Sequence, residues 1–316
     1  MTTLIYIGAI ILIAVNTASW LGRWDWRFDL ISHFRPHLAI GSILFALVAL
    51  LFVRYSASAI GFGLFVVQCY LLITVIPAPI ATAAGSTLKV MTINVLNDND
   101  RHHDLVSLVE REQPDLLALQ EMDWTWAETA RTLAKLFPFS TVPDHRHPPR
   151  NQIFSRFPII ENRMERSPAV DKRSGPTTAL FTTLDIDGTP VEFINMHPSH
   201  PMSDRLWRWR NAYLNWISET LAMRPDNRPA IVVGDWNLSP WSPFYSEFME
   251  KTGLRDAAAL SYAEPTRHPR GFPELFLLGV TIDHIAVSPD IAVLSSDVGP
   301  EMGSDHRPVC ATLRLP

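Results

Sequence analysis

Four short polar segments each follow an apolar run, and their side chains suit a divalent cation and an attacking water. Gly303-Ser304-Asp305-His306 and Gly234-Asp235-Trp236-Asn237 each place a carboxylate within two residues of an imidazole or a carboxamide. Gln120-Glu121 follows the run 116–119, and Asn94 follows the run 90–93. A hard divalent cation takes oxygen ligands and keeps waters and substrate oxygens in its shell. The set predicts metal-assisted hydrolysis of a phosphate ester.

Asp235 and Asn237 lie two residues apart at a predicted strand end. This spacing lets both side chains point the same way. An aspartate there can orient and deprotonate the attacking water, and an asparagine can hold the non-bridging phosphate oxygens. The alternative is an Asx-turn, in which both side chains serve the backbone.

Asp283 and His306 are interpreted as a pair. Alternation along 281–287 puts Asp283 on the same strand face as Ile285 and Val287, and a carboxylate on an apolar face needs a partner. An Asp–His pair fixes the tautomer of the ring and raises its basicity. A salt bridge from Asp283 to an arginine is the alternative.

Glu121 and His197 are the other two candidates at strand ends. A carboxylate at the mouth of a buried strand is costly unless it is paired or bound to a cation. A neutral histidine can donate to a phosphoryl oxygen or protonate a leaving group. The alternatives are a surface acid and a capped loop histidine.

Other metal and hydrolase classes lack their key residues. The sequence has no cysteine cluster and no His-x-x-x-His spacing on a predicted helix, so zinc is not expected. Neither a Gly-x-Ser-x-Gly elbow nor a Walker loop is present, which argues against a serine hydrolase and a nucleotide motor.

The residues after the first 85 alternate between strand and helix patterns. Strands are predicted at 88–95, 115–120, 152–156, 179–186, 191–195, 230–233, 282–287 and 309–313, and helices at 104–111, 124–137 and 204–223. Asp187-Gly188 is a turn dipeptide suited to a hairpin. We therefore expect a pair of mixed sheets covered by helices, four layers deep.

The first 85 residues differ sharply in composition. Three stretches, 4–21, 38–53 and 57–76, contain no Asp, Glu, Lys or Arg, and each is long enough to span about 30 Å of hydrocarbon as a helix. Trp20, Trp24 and Trp26 lie where an interfacial aromatic belt is expected. A cleaved signal peptide with two core helices fits less well, because no cation precedes Leu4. The sequence predicts a membrane region of three helices and a linker over 1–85, and a catalytic domain over 86–316.

The orientation in the membrane is not fixed by charge. The first loop carries Arg23, Arg27 and Arg35 and the second only Arg54, which places the first loop and the large domain in the cytoplasm. The uncharged linker 77–85 instead suits a translocated segment.

Composition weighs against nucleic acid as the favoured partner. Residues 86–316 hold 23 Lys and Arg against 30 Asp and Glu, whereas a nucleic-acid binder usually has a basic surface. The two cysteines, Cys69 and Cys310, provide no disulfide framework.

Seven motifs in order over residues 88–314 resemble the endonuclease/exonuclease/phosphatase superfamily, namely Met91-Thr92-Ile93-Asn94-Val95, Leu119-Gln120-Glu121, Ile153-Phe154-Ser155-Arg156-Phe157-Pro158-Ile159, Asn195-Met196-His197, Gly234-Asp235-Trp236-Asn237, Ile282-Asp283-His284-Ile285 and Ser304-Asp305-His306-Arg307-Pro308-Val309. The resemblance implies an α/β fold, the four-layered α/β/β/α sandwich of the deoxyribonuclease I type.

The resemblance also implies roles for the site residues. Asn94, Glu121 and Asp305 would hold Mg²⁺ (or Mn²⁺). Asp235 would activate water, Asn237 and His197 would hold the phosphate, and Asp283 would orient His306, with no covalent intermediate. A catalytic domain outside the cytoplasm is implied too, against the arginine count.

The leading hypothesis is a membrane-anchored, Mg²⁺-dependent phosphodiesterase or phosphatase that acts on a phosphate ester and contacts the lipid bilayer through its N-terminal helices. A nuclease acting on DNA or RNA is the alternative within the class, although the charge does not favour it. A non-catalytic membrane receptor or scaffold is the alternative of another class. Substrate identity, protein partners and oligomeric state lie beyond the sequence.

Overall fold

The computed structural model describes residues 1–74, 84–141, 150–168, 178–224, 228–257 and 264–316. Twelve strands form in these ranges: β1 (Thr87–Asn94), β2 (Leu116–Gln120), β3 (Phe139–Ser140), β4 (Gln152–Ser155), β5 (Ile159–Arg166), β6 (Thr178–Ile186), β7 (Thr189–Met196), β8 (Ala230–Asp235), β9 (Arg255–Asp256), β10 (Asp283–Val287), β11 (Ala292–Val298) and β12 (Val309–Arg314). Eight α-helices accompany them: α1 (Thr2–Ala18), α2 (Trp26–Ser32), α3 (Arg35–Leu51), α4 (Tyr55–Ile73), α5 (His102–Glu112), α6 (Ala127–Leu136), α7 (Asp204–Ala222) and α8 (Pro243–Thr252).

The strands form two six-stranded sheets, in the orders β11-β12-β1-β2-β4-β3 and β5-β6-β7-β8-β10-β9. Each sheet has one parallel pair near its centre, β1 with β2 and β7 with β8. The carboxyl ends of both strands of a parallel pair lie at the same end of the sheet. Polar side chains from neighbouring strands can meet there.

Three hydrophobic clusters hold the layers together. The first lies between the sheets and includes Leu116, Phe193 and Ile285. The second joins the first sheet to α5 and α6, and the third joins the other sheet to α7 and α8. The order helix, sheet, sheet, helix confirms the predicted four-layered α/β/β/α sandwich.

Gly234 allows β7 and β8 to approach closely beside the site. Its φ is +131°, and a Cβ built there would lie 2.0 Å from the carbonyl oxygen of Met196. Since that oxygen belongs to the backbone, no side-chain movement can relieve the clash. The first position of the Gly-Asp-Trp-Asn motif is therefore fixed by packing, and the motif's polar residues follow it directly.

We expect Gly234→Ala to lower the free energy of unfolding by about 2 kcal/mol or more, because the clash adds to the cost of a positive φ. Gly188→Ala is the matched control, since Gly188 has φ +87° with nothing within 4 Å of its built Cβ. Chemical denaturation of both variants separates the two costs. Equal destabilisation of the two would show that the contact with Met196 contributes nothing.

The N-terminal region forms helices, but fewer of them are long enough to span a membrane than predicted. Among the residues that the structure describes, only α4, with 19 residues, is long and apolar enough by itself. α2 and α3 together are also long and apolar enough, although they are bent by 69° at the break between them. α1 is a shorter apolar helix. Length and composition therefore support one span or two, and they do not support the predicted three. Residues 75 and 76 of the third predicted span and most of the linker lie outside the described residues.

The loop between the first two apolar stretches is not a free surface loop. It contains α2, and Asp29 on this helix is fully buried against the catalytic domain. Its carboxylate accepts hydrogen bonds from Arg210 Nη2 at 2.5 Å, Trp207 Nε1 at 3.0 Å and Ser242 Oγ at 2.6 Å. Asp29 lies in the same loop as Arg23, Arg27 and Arg35, but it pairs with an arginine 181 residues away.

Candidate active site

The predicted site residues meet at one end of both sheets. Asn94 ends β1, Glu121 follows β2, His197 follows β7 and Asp235 ends β8, so all four lie at the carboxyl ends of the two parallel pairs. Asp283 begins β10, directly opposite Asp235 in the antiparallel pair. Asp305 and His306 precede β12, which runs antiparallel to β1. The topology therefore brings the amino ends of β10 and β12 to the same place.

Asp235 is at the centre of this cluster. One oxygen, Oδ2, accepts a hydrogen bond from Asn94 Nδ2 at 3.1 Å and lies 3.4 Å from His197 Nε2. The same Asn94 nitrogen donates to Glu121 Oε1 at 2.9 Å, and that oxygen lies 3.5 Å from His197 Nε2. Asn94 and His197 thus meet at one carboxylate oxygen of Asp235, and Glu121 joins the cluster through both of them.

Asp283 and His306 form the predicted pair. His306 Nδ1 lies 2.9 Å from Asp283 Oδ2, and Nε2 lies 3.6 Å from Asp235 Oδ2. Two carboxylates directly opposite on neighbouring strands repel each other, and the His306 ring lies between them. Burial alone lowers the pKa of His306, but the charges of Asp283 and Asp235 outweigh it and raise the pKa to about 9. His306 is therefore an imidazolium at neutral pH.

The two histidines keep Asp235 ionised. Burial alone raises the pKa of Asp235, but the His306 charge and the His197 hydrogen bond outweigh it and hold the pKa well below its usual range. For His197, burial lowers the pKa, but Asp235 and Glu121 overcome this and raise it above its ordinary value. The pocket thus holds the Asp235 carboxylate between the charge of His306 and a hydrogen bond from His197.

Asn237 makes the backbone contacts of the Asx-turn that the sequence allowed as the alternative. Its backbone N–H donates to Asp235 Oδ1 at 2.8 Å, which is the contact of an Asx-turn. Its side-chain Nδ2 lies 3.4 Å from Asp235 Oδ2 and donates to the carbonyl of Pro198 at 3.1 Å. One Asp235 oxygen thus serves the backbone, and the other stays directed into the pocket.

Asp305 lies at the rim and is held by an arginine. Its Oδ2 accepts from Arg267 Nε at 3.0 Å and Nη2 at 2.9 Å. The described ranges contain two clusters of possible metal ligands. One is formed by Glu121, His197 and Asp235, and the other by Asp235, Asp283 and His306. Asp305 belongs to neither of them, because its carboxylate is turned to Arg267. The structure therefore groups Glu121 with Asn94 and Asp235 more closely than with Asp305.

The residues present fit a hard divalent cation. The Glu121 carboxylate is 30% exposed, so it can be reached from solvent, whereas Asp235 is buried. Glu121 also has φ +61°, a conformation that non-glycine residues seldom adopt and that often occurs at functional sites. Carboxylate and carboxamide oxygens are the donors that Mg²⁺ prefers. Glu121 and Asn94 would hold the ion, which would polarise a phosphoryl oxygen when bound. The third predicted ligand, Asp305, pairs with Arg267 in this structure.

Three supporting residues were not singled out from the sequence. Thr266 Oγ1 donates to Asp283 Oδ2 at 2.6 Å, which leaves that carboxylate fully partnered. Arg267 lies beside Thr266 and pairs with Asp305. Gln120 Nε2 donates to Thr92 Oγ1 at 3.0 Å and to Asn195 Oδ1 at 2.8 Å, which joins the two sheets beneath the site. Gln120 lies inside a quoted motif, but Thr266 and Arg267 follow no apolar run that would have marked them.

Comparison with known proteins agrees with this geometry. Several solved structures share the fold over most of their length. An endonuclease/exonuclease/phosphatase family protein from Bacteroides thetaiotaomicron is 20% identical with a TM-score of 0.59, covering 74% of this chain and 97% of that one. A mannosyl-6-phosphatase from the same species is 21% identical with a TM-score of 0.60, covering 72% and 100%. Sphingomyelinase C from Streptomyces griseocarneus is 15% identical with a TM-score of 0.55, covering 72% and 99%.

No curated protein matches the chain. At these identities the solved structures establish the fold alone, and their names cover enzymes for different phosphoesters. The family profile is more specific, because it matches residues 91–306, more than half of the chain, and spans every residue of the cluster. The chain therefore belongs to the endonuclease/exonuclease/phosphatase family.

Proposed function

We propose that this protein is a membrane-anchored, Mg²⁺-dependent phosphoesterase that hydrolyses a phosphodiester or phosphomonoester with an activated water. The observation that carries the proposal is the convergence on Asp235 Oδ2 of Asn94, His197 and His306, within 3.1 to 3.6 Å. A binding-only domain has no need for this set of charged groups in a buried pocket, since each of them costs free energy to desolvate. Hydrolysis explains the set.

Each side chain has a role that follows from its charge state. Asp235, ionised at working pH, accepts a hydrogen bond from the attacking water and receives its proton as the oxygen bonds to phosphorus. His306, cationic and held by Asp283, stabilises the negative charge that develops on the phosphoryl oxygens. Asn237 and His197 orient the same oxygens. The bond to the leaving oxygen then breaks, and no protein side chain bonds to phosphorus.

The anchor is proposed from the apolar helices. α4 supplies one span and α3, the longer helix of the bent pair, a second, with α1 beside them. Because Asp29 of α2 is buried against Arg210 of α7, the catalytic domain is held close to the membrane region. A catalytic domain outside the cytoplasm stays a prediction. Fusions of a periplasmic and a cytoplasmic reporter to the C-terminus would decide it.

Metal removal tests the proposal. The full chain in detergent is expected to release nitrophenolate from bis(p-nitrophenyl) phosphate or p-nitrophenyl phosphate with Mg²⁺ or Mn²⁺. The rate should fall at least about 10²-fold in EDTA and return when Mg²⁺ is added in excess, because the metal supplies several kcal/mol of charge stabilisation. Equal rates with and without EDTA would contradict the proposal.

Glu121→Gln is the matched variant for this assay. It removes the charge of the accessible ligand but keeps its shape, so we expect a rise in the Mg²⁺ concentration needed for half-maximal rate. Glu128→Gln changes an acid in the first turn of α6 and should leave that concentration unchanged. A duplex DNA substrate with a salt titration would identify a nuclease, since its binding would weaken steeply with salt.

A further inference from the structure

An exposed apolar loop lies next to the site. Residues 272–278, here called the apolar loop, include a 3₁₀ turn over Pro273–Leu278 in which no residue is buried. Its large apolar side chains are Phe272, Leu275, Phe276, Leu277 and Leu278, and Leu277 is 66% exposed. Soluble proteins rarely expose contiguous apolar side chains without a binding purpose. The apolar loop therefore requires a partner surface.

The stem of the apolar loop is part of the site wall. Arg267 and Val280 close it with two backbone hydrogen bonds, of 2.9 and 2.8 Å. Arg267 also forms a backbone bridge to His306 and pairs with the Asp305 carboxylate. The apolar loop is therefore tied directly to two residues of the candidate active site. A surface that binds the loop would also lie next to the entrance of the pocket.

The tip of the apolar loop contacts the start of an apolar helix. His37 in the first turn of α3 hydrogen-bonds through Nε2 to the carbonyl oxygen of Leu277 at 2.9 Å. Beyond that turn, α3 has exposed leucines and isoleucine, with Ile40 57% and Leu44 56% exposed. The loop and this helix face thus form one continuous apolar surface.

Exposed aromatic and basic residues lie at the same end of the helices as the contact between His37 and Leu277. Trp20, Trp24 and Phe34 are exposed at the same end of the N-terminal helices, where α1 ends and α3 begins. Tryptophan is enriched at the headgroup layer of a bilayer. Arg270 lies two residues before Phe272, where it is exposed and pairs with Asp98. Basic side chains beside apolar ones are typical of a segment that lies in the interface.

We propose that the apolar loop lies in the headgroup layer of the bilayer that holds α3 and α4, so that the site opens toward phosphoesters of membrane lipids. This inference rests on the proposed function and narrows its substrate class. A site for a soluble phosphoester needs no apolar surface at its entrance. The occupant of that surface is the bilayer itself, because the loop continues the exposed face of α3 rather than forming a separate patch.

Fluorophore labelling tests the location without any turnover. An environment-sensitive fluorophore is attached to Leu277→Cys in a Cys69→Ala background, in full-length protein reconstituted into phospholipid nanodiscs; Cys310 is buried. We expect quenching by lipids with a headgroup nitroxide. Met223→Cys, on a residue 75% exposed at the end of α7, is the matched control and should not be quenched. Absence of quenching at position 277 would overturn the proposal.

Hydrolysis of two substrates tests the consequence. Leu277→Glu in proteoliposomes of phosphatidylcholine, phosphatidylethanolamine and phosphatidylglycerol should reduce release of phosphorylated headgroup or phosphate at least about tenfold. Its rate on bis(p-nitrophenyl) phosphate should stay within twofold of the parent, as should both rates of Met223→Glu. Two results would overturn the inference about lipids and leave the proposed function intact. They are unchanged lipid hydrolysis by Leu277→Glu, and a parent protein that cleaves DNA but no lipid. Loss of metal-dependent cleavage of every substrate by the parent would instead overturn the proposed function.

Discussion

Asp235→Asn is expected to lower kcat/KM for phosphoester hydrolysis by at least about 10²-fold, because the amide cannot accept the proton of the attacking water. The substitution keeps the shape of the side chain, and the backbone N–H of Asn237 can still donate to its carbonyl oxygen. The amide nitrogen replaces only the oxygen that faces Asn94 and the histidines. The loss should therefore appear mainly in kcat. Steady-state kinetics on bis(p-nitrophenyl) phosphate with saturating Mg²⁺ measure it.

Asp256→Asn is the matched control for this prediction. Asp256 is also a buried aspartate of the second sheet, hydrogen-bonded to Tyr245 and His284. It contacts none of the converging site residues, so its substitution should change stability and leave kcat within about threefold below the unfolding temperature. If Asp235→Asn retained the parental kcat, the water-activating role of Asp235 would be excluded.

Asp29→Ala is expected to lower the free energy of unfolding by about 3 to 5 kcal/mol, because it leaves the Arg210 guanidinium buried without its counter-charge. Both side chains of the pair are fully buried. Arg210 Nη1 also donates to the carbonyl of Asn237 at 3.2 Å, so a fall in kcat should accompany the loss of stability. Thermal unfolding of the full chain in detergent, followed by circular dichroism, measures the first effect.

Arg23→Ala provides the control, since Arg23 and Glu247 join the same two parts of the chain by a solvent-exposed ion pair. Such a pair contributes at most about 1 kcal/mol. Asp29→Leu combined with Arg210→Met removes both charges and should recover at least half of the stability lost in Asp29→Ala. A single Asp29→Ala variant as stable as Arg23→Ala would refute the importance of the buried pair.

Strand ends can be recognised locally in the sequence, and the structure brings most of the residues predicted there together. Apolar runs ended by Asn94, Glu121 and Asp235 marked the carboxyl ends of buried strands, and alternation along β10 identified the need of Asp283 for a partner. The fold class followed from the same runs, since every predicted strand formed within two residues of its predicted bounds. These predictions depended only on patterns of fewer than ten residues.

The rest depended on contacts between distant segments. Nothing local to Asp29 distinguishes it from Asp25, yet one is buried on Arg210 and the other caps α2. β5 was missed because it lies at a sheet edge, with most of its side chains exposed and no apolar alternation. The ion pair between Asp305 and Arg267 could not be predicted either, because Arg267 lies in a loop whose path no periodicity reveals.

The position of β12 has a consequence for how the protein is made. This strand lies between β11 and β1, so the first and last strands of the catalytic domain are neighbours near the middle of one sheet. A growing polypeptide that lacks residues 309–314 leaves the edge of β1 unpaired and has no support for Asp305 and His306. The N-terminal helices leave the ribosome long before that strand. The candidate site is therefore completed only after residues 309–314 have been synthesised.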